Sequence, residues 1–245
     1  MSLISLEDLN QLDNEPMEDA GPQEQQQEDL AQSQLFSRWE VVASAHHVSL
    51  PPDIAGPISE MTRQSHIREP IPFVPLSLDE KDEGYEERQY PAGKWACIRK
   101  QEPLYEQSTA CGFMKLMRYI CKENSTGRYL GMTVPVLNRF HMDEDGTALV
   151  GEISTEFYLP AEFQQDPPLP LDPEVLILDQ GSFQVISRVF YGATTEDSLR
   201  RDVDQLWALV GNTDTVLRGT YLVATYENPT VPHRRNELWF IRREE

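Results

Sequence analysis

The 245-residue chain carries a formal net charge of −20, with 41 Asp and Glu against 21 Lys and Arg. That balance argues against nucleic acid as the partner, because a phosphate backbone demands basic patches. Cys97, Cys111 and Cys121 make an odd count with no framework spacing, which fits a reducing compartment, and no apolar run of about 18 residues is present to span a membrane.

Residues 1–35 read as an acidic disordered tail. Between Met1 and Ser37 there are nine acidic residues and no Lys or Arg, so this stretch holds −9 of the −20 and leaves −11 to the rest. "QEQQQED" is polar and of low complexity, and Pro16, Gly21 and Pro22 break regular structure. Leu3, Leu6, Leu9 and Leu12 recur every third residue behind Ser5. They form either a frayed amphipathic turn or a peptide that docks on a protein partner. An acidic N-terminus is the wrong chemistry for a secretory or mitochondrial leader, so a cytoplasmic protein is expected. The glycosylation sequon at Asn124 would matter only in a secreted one.

Residues 36–84 read as a proline-rich extended arm. Phe36 and Trp39 are the first candidate core anchors, with a first strand over Trp39–Ser44. Pro51, Pro52, Pro57, Pro70, Pro72 and Pro75 punctuate the remainder of the arm.

From Tyr85 the pattern becomes regular. "YEERQY" and "KWACIRK" alternate as two strands joined at Ala92-Gly93. A helix comes next, over about Glu106–Lys122, its apolar stripe being Phe113, Leu116, Met117 and Ile120. Strands are expected at about Met132–Phe140 and Gly151–Leu159, separated by the turn "MDEDGT". Pro135 sits inside the first of these, which argues for an edge or bulged position. "DPPLPLDP" leads to a second round. "VLILDQ" and "FQVISRVF" are strands, and a capping box at Thr194-Thr-Glu-Asp opens a helix carrying Leu199, Val203, Leu206, Trp207 and Val210, with Gly211 at its end. "TYLVATYE" and "ELWFIRR" close the chain. The plan recurs at an offset of roughly 90 residues, as in a duplicated module. The implied fold class is α+β, with eight strands in a curled or barrel-like antiparallel sheet and two helices packed on it.

No catalytic or covalent-cofactor motif is present: there is no phosphate loop, no G-x-S-x-G, no H-E-x-x-H and no C-x-x-C. His46-His47 could touch a metal, but reads better as a solvated loop pair, and Asp143, Glu144 and Asp145 read as a hairpin tip without calcium-loop spacing. An enzyme is not expected.

"YEERQY…GKWA", "KLMRYI", "GMTVPV", "LP…FQQDPPLP", "YLVATYENP" and "RRNELW" occur in one order from Tyr85 to the C-terminus. This arrangement resembles the SOUL, or haem-binding protein, family. The resemblance implies a distorted eight-stranded antiparallel barrel built from two repeats, about 85–165 and 174–245, within a domain spanning 85–245. It also implies reversible, non-covalent binding of haem or a related tetrapyrrole, for intracellular buffering or delivery, without turnover. A porphyrin needs an apolar groove, adaptable packing and cations at the rim for its propionates. The family's groove runs along the first helix and the loop before the last strand, which here offer Met114, Met117, Arg118, His233 and Arg234. Phe113, Lys115, Lys122 and Arg235 are nearby, and His233 is a candidate axial ligand to iron. Ala110, Gln89 and Thr230 or Val231 replace polar or basic residues that some members carry. They motivate an alternative, an interaction or regulatory protein of the same fold that has lost haem. Bacterial effector-binding domains, which hold hydrophobic ligands between repeats, are similar to the same duplicated module.

Overall fold

The computed structural model describes residues 22–64, 68–76, 84–211, 214–228, 230, 231 and 233–243. The leucines Leu3, Leu6, Leu9 and Leu12 lie outside the described residues. Among the described residues there are four α-helices, α1 (Pro22–Ala45), α2 (Ala55–Arg63), α3 (Tyr105–Cys121) and α4 (Glu196–Val210). The short strands β1 (Arg68–Pro70), β2 (Val74–Pro75) and β5 (Met132–Val134) accompany eight longer ones. These are β3 (Glu86–Tyr90), β4 (Gly93–Lys100), β6 (Val136–Met142), β7 (Leu149–Tyr158), β8 (Leu176–Gln180), β9 (Phe183–Tyr191), β10 (Val216–Thr225) and β11 (Arg235–Arg242).

The architecture is α+β, dominated by one antiparallel nine-stranded sheet in the order β2-β3-β9-β11-β10-β6-β7-β4-β8. Its pairings map onto themselves when β3, β4, β6 and β7 are exchanged for β8, β9, β10 and β11, so two copies of one unit are related by an approximate two-fold. Each copy lends its first strand to the other: β3 pairs with β9, and β8 pairs with β4. The two strands flanking Ala92-Gly93 therefore adjoin in sequence without pairing with each other.

The sheet curls. Trp95 on β4 and Phe183 on β9 are five strand positions apart, which in a flat sheet would be roughly 24 Å. Their ring centroids are 6.5 Å apart. Tyr90 stacks on Trp239 and Phe183, and Trp95 meets Tyr158 edge-on, so aromatic side chains fill the concave face. On the other face, α3 and α4 cover alternate residues of the same strands. Gly112 lets α3 settle onto the sheet, because a Cβ there would come within 2.8 Å of Thr155 Oγ1. The cap of α4 is Thr195, one residue later than expected, and its reciprocal partner is Ser198.

The N-terminal third departs most from expectation. Trp39–Ser44 is helical, within α1, and the proline-rich arm contains α2 with Ile58 and Met61 buried, just after the buried Ile54. The prolines misled because a first helical turn accepts them, having no intrahelical acceptor for their missing N–H. Pro22 opens α1, Pro52 opens a 3₁₀ turn (Pro52–Ile54), and Pro57 lies in the first turn of α2. Val41 and Val42 look strand-like locally. The helical spacing of Phe36, Trp39 and Ala43 against the core overrides that preference. At Pro135, which follows a cis peptide, the expected single strand divides into β5 and β6. β5 pairs in parallel with β1 in a separate two-stranded sheet.

Arg88 on β3 and Glu237 on β11 join the two copies in the interior. Arg88 donates to both Glu237 carboxylate oxygens, at 2.8 and 3.2 Å. Trp239 Nε1, Tyr226 Oη and Ser187 Oγ also donate to Glu237, which is fully buried. Burial alone would raise this carboxyl, but the Arg88 contact and the other donors hold it below the usual glutamate range. Glu156 on β7, ahead of Phe157 and Tyr158, is its counterpart in the other copy and is met by Arg139 at 2.8 Å. Arg88→Met strands the Glu237 charge in the interior and should cost roughly 3–5 kcal/mol in urea unfolding; a loss under about 1 kcal/mol would contradict the role given to the pair. Because the folded-state pKa of Glu237 is depressed, its contribution is complete above the usual value of 4.5. Stability should therefore fall as pH drops through the depressed pKa.

Candidate ligand cavity and its residues

A cavity of about 430 Å³ lies where α1, α2 and α3 meet β5, β6 and the segment after β10. Its size falls within the roughly 300–1,000 Å³ typical of small-molecule sites. Helix α3 turns Glu106, Thr109, Ala110, Phe113, Met114 and Met117 towards it, while Leu116 and Ile120 on the next face are buried in the core. Helix α1 contributes Trp39, Val42, Ala43 and His46, at i, i+3, i+4 and i+7. Ile58 and Met61 of α2 and Met132 of β5 complete a wall rich in methionine.

The polar groups are few. Arg234 lines the cavity and is 8% exposed. Burial pushes its guanidinium below the usual arginine range, opposed by the nearby Tyr105. Arg68 enters from β1 with one Nη donating to the Tyr226 carbonyl at 3.2 Å, while its buried Nε has no partner among the described residues. Trp39 Nε1 and Glu106 Oε2 are likewise buried and without partners among them. His46 is half-buried; burial first, then Arg234, lower its pKa against the opposing pull of Glu106.

His46 and His47 end α1 and point apart. His47 takes a left-handed backbone (φ 55°), and Val48 N–H returns to the Ala43 carbonyl at 2.8 Å. The turn leaves His47 in solvent and keeps His46 on the cavity face.

Of the residues singled out from sequence, Met114, Met117 and Arg234 come together at this cavity, and Phe113, Ala110 and Val231 join them. Arg118 does not line it. Its guanidinium pairs with Asp53 at 2.7 Å and so holds the turn before α2 against α3. Lys115 pairs with Asp172 and Glu174, each at 2.7 Å, and Lys122 is exposed. His233 is exposed and outside the lining. Arg235 pairs with Glu237 and lies over the Tyr226 ring. Thr230 N–H is held by Asn228 Oδ1 at 2.9 Å, and Gln89 donates from β3 to the Tyr90 and Phe183 carbonyls. Sequence reading took Trp39 for a core anchor and preferred a solvated loop pair to a metal contact for His46, and it did not single out Met61 or Arg68. The helical spacing of Trp39, Val42, Ala43 and His46 was the available signal. Among the described residues, no cluster of three or more His, Cys, Asp or Glu could hold a metal ion, and no helix is long and apolar enough to cross a membrane.

A curled, duplicated sheet with an apolar cavity and a few convergent cations has the make-up of a small-molecule site. The chain belongs to the SOUL heme-binding protein family, whose profile matches residues 69–241. It is 32% identical over 174 residues to Heme-binding protein 1 of Mus musculus, covering 70% of this chain and 91% of that one. It is 30% identical over 165 residues to Heme-binding protein 2 of Homo sapiens, covering 66% and 79%. Among solved structures, the EcmrR C-terminal domain aligns over 66% of this chain and 98% of its own, with 12% identity and a TM-score of 0.44.

His47→Gly tests the turn that aims His46. Removing a side chain from a left-handed position relieves about 1–2 kcal/mol, partly offset by the greater freedom of glycine when unfolded. Net stabilisation of up to about 1 kcal/mol is expected as a higher urea midpoint, whereas a lower one would show that His47 is not under this strain.

Proposed function

We propose that this protein binds haem or another tetrapyrrole reversibly and non-covalently in the cavity beside α3, as an intracellular, non-enzymatic buffer or carrier. The observation that carries this is the pairing of a methionine- and aromatic-lined cavity with buried cationic and N–H donors, in a chain of the SOUL family. The donor set fits the group. Met61, Met114, Met117 and Met132 offer polarisable, adaptable contact to a flat apolar ring. Arg234, Arg68 and the unpartnered Trp39 N–H offer charge and hydrogen bonds to carboxylates at its edge. When bound, the tetrapyrrole supplies whatever redox or ligand chemistry its metal carries; the chain supplies packing, charge and exclusion of water. Arg118 serves from outside by fixing the Asp53 turn, and His233 stays exposed, outside the lining. Closure of the curled sheet into a distorted barrel belongs to the same proposal, as does a domain spanning 85–245 whose cavity α1 and α2 complete.

One observation favours the second reading, an interaction or regulatory protein of this fold without haem. Lys115, Arg118 and Arg235, which would otherwise draw propionates, are engaged in ion pairs within the chain.

Hemin titration decides between them. Saturable binding with a shifted Soret band at micromolar protein is expected, and its absence would favour the second reading. Arg234→Met should weaken hemin binding about tenfold or more, the loss of one charge-assisted contact. Undiminished affinity would remove Arg234 from the site.

A further inference from the structure

We propose that His46, at the end of α1, is an axial ligand to the iron of a haem held in the cavity. This rests on the haem-binding reading of that same cavity and adds the residue that would grip the metal. Four observations carry it. First, among the described histidines it is His46 that lines the cavity. Among the other described histidines, His47 and His233 are exposed, and His141 Nδ1 is engaged with Thr220 Oγ1 at 3.0 Å. Second, its surroundings suit a ligand. The ring is half-buried in a wall that also holds Val42, Ala43 and Met114, and among the described residues no hydrogen bond occupies it. A neutral imidazole with a free lone pair facing an apolar space is the usual donor to haem iron.

Third, the backbone fixes the ring's direction. The left-handed residue His47 and the Val48-to-Ala43 hydrogen bond close α1 so that His46 stays in register with Trp39, Val42 and Ala43 on one helix face. Fourth, that face carries a second polar group awaiting a partner, the buried Trp39 indole N–H seven residues earlier. A face with one metal-type donor and one unpartnered hydrogen-bond donor, beside the Arg234 cation, matches a ligand that presents both a metal centre and carboxylates.

The position is informative about the chain. Residue 46 lies before the 69–241 segment that matches the family profile, so the ligand would come from outside that segment. The position after the YE-x-R strand, where some members carry histidine, is Gln89 here, and its amide is occupied by two backbone carbonyls.

The test uses the full chain, hemin and iron-free protoporphyrin, with optical and electron paramagnetic resonance spectra. The wild type should bind both porphyrins and give a histidine-ligated ferric spectrum with hemin. His46→Ala should keep protoporphyrin binding and lose that spectrum, and added imidazole should restore it through the vacated space. His46→Gln should behave alike, with the wall volume kept. Persistence of the wild-type spectrum in both variants would overturn the ligation while leaving haem binding intact. So would loss of the spectrum on His66→Ala or His233→Ala, or loss of protoporphyrin and hemin binding together in both His46 variants. If the wild type binds neither porphyrin, the haem reading itself fails and the ligation with it.

Discussion

The buried ion pair between Arg88 and Glu237 is the contact on which the remaining geometry depends. Arg88 belongs to a strand lent by the first copy to the second, and Glu237 sits on the strand at the second copy's centre. The exchanged strand β3 has β9 as its one long partner, with only the two-residue β2 on its other side, and needs something to fix its register. A desolvated charge supplies that, because any slip would leave a carboxylate unpaired in the interior. The same carboxylate receives Tyr226 Oη and Trp239 Nε1. Tyr226 in turn lines the cavity and offers its carbonyl to Arg68. A continuous set of polar contacts therefore runs from the core to the ligand space, and Arg234 stands three residues before Glu237 at the entry to the same strand.

The two-copy plan was legible because it rests on periodicity. The 3.6-residue stripes of α3 and α4 each reflect a single face that must be buried, while β4, β6 and β9 carry apolar residues on both faces, one against the helices and one in the aromatic core. The shared motifs also acquire physical meaning. Arg88 of the "YEERQY" strand meets Glu237 of "RRNELW", Tyr119 of "KLMRYI" donates to the Pro168 carbonyl, and Thr133 of "GMTVPV" donates to the Tyr158 carbonyl. The strand pairing itself was not legible. Nothing in "YEERQY" says that its neighbour is β9 rather than β4, since pairing partners are chosen by the tertiary fold.

The site was half legible. Met114, Met117 and Arg234 could be placed by resemblance, because they lie on elements the family shares. Arg118 could not be judged, because its partner Asp53 lies in a segment whose prolines read as an irregular arm. Trp39 and His46 were obscured for the same reason, as valines beside them suggested a strand. Together, residues of α1 and α2 turn a groove on the shared fold into a covered cavity. The N-terminal third thus contributes to the lining of the cavity, rather than serving only as a tail or a tether.

Hydrogen exchange by mass spectrometry, with and without hemin, tests most directly whether α1, α3 and the segment before β11 enclose one ligand. Slowed exchange should appear together over Trp39–Val48, Tyr105–Arg118 and Thr225–Arg235, while the edge strand β8 stays unchanged. Protection confined to other surfaces, or to α3 without α1, would contradict a cavity shared between the family fold and its N-terminal helices.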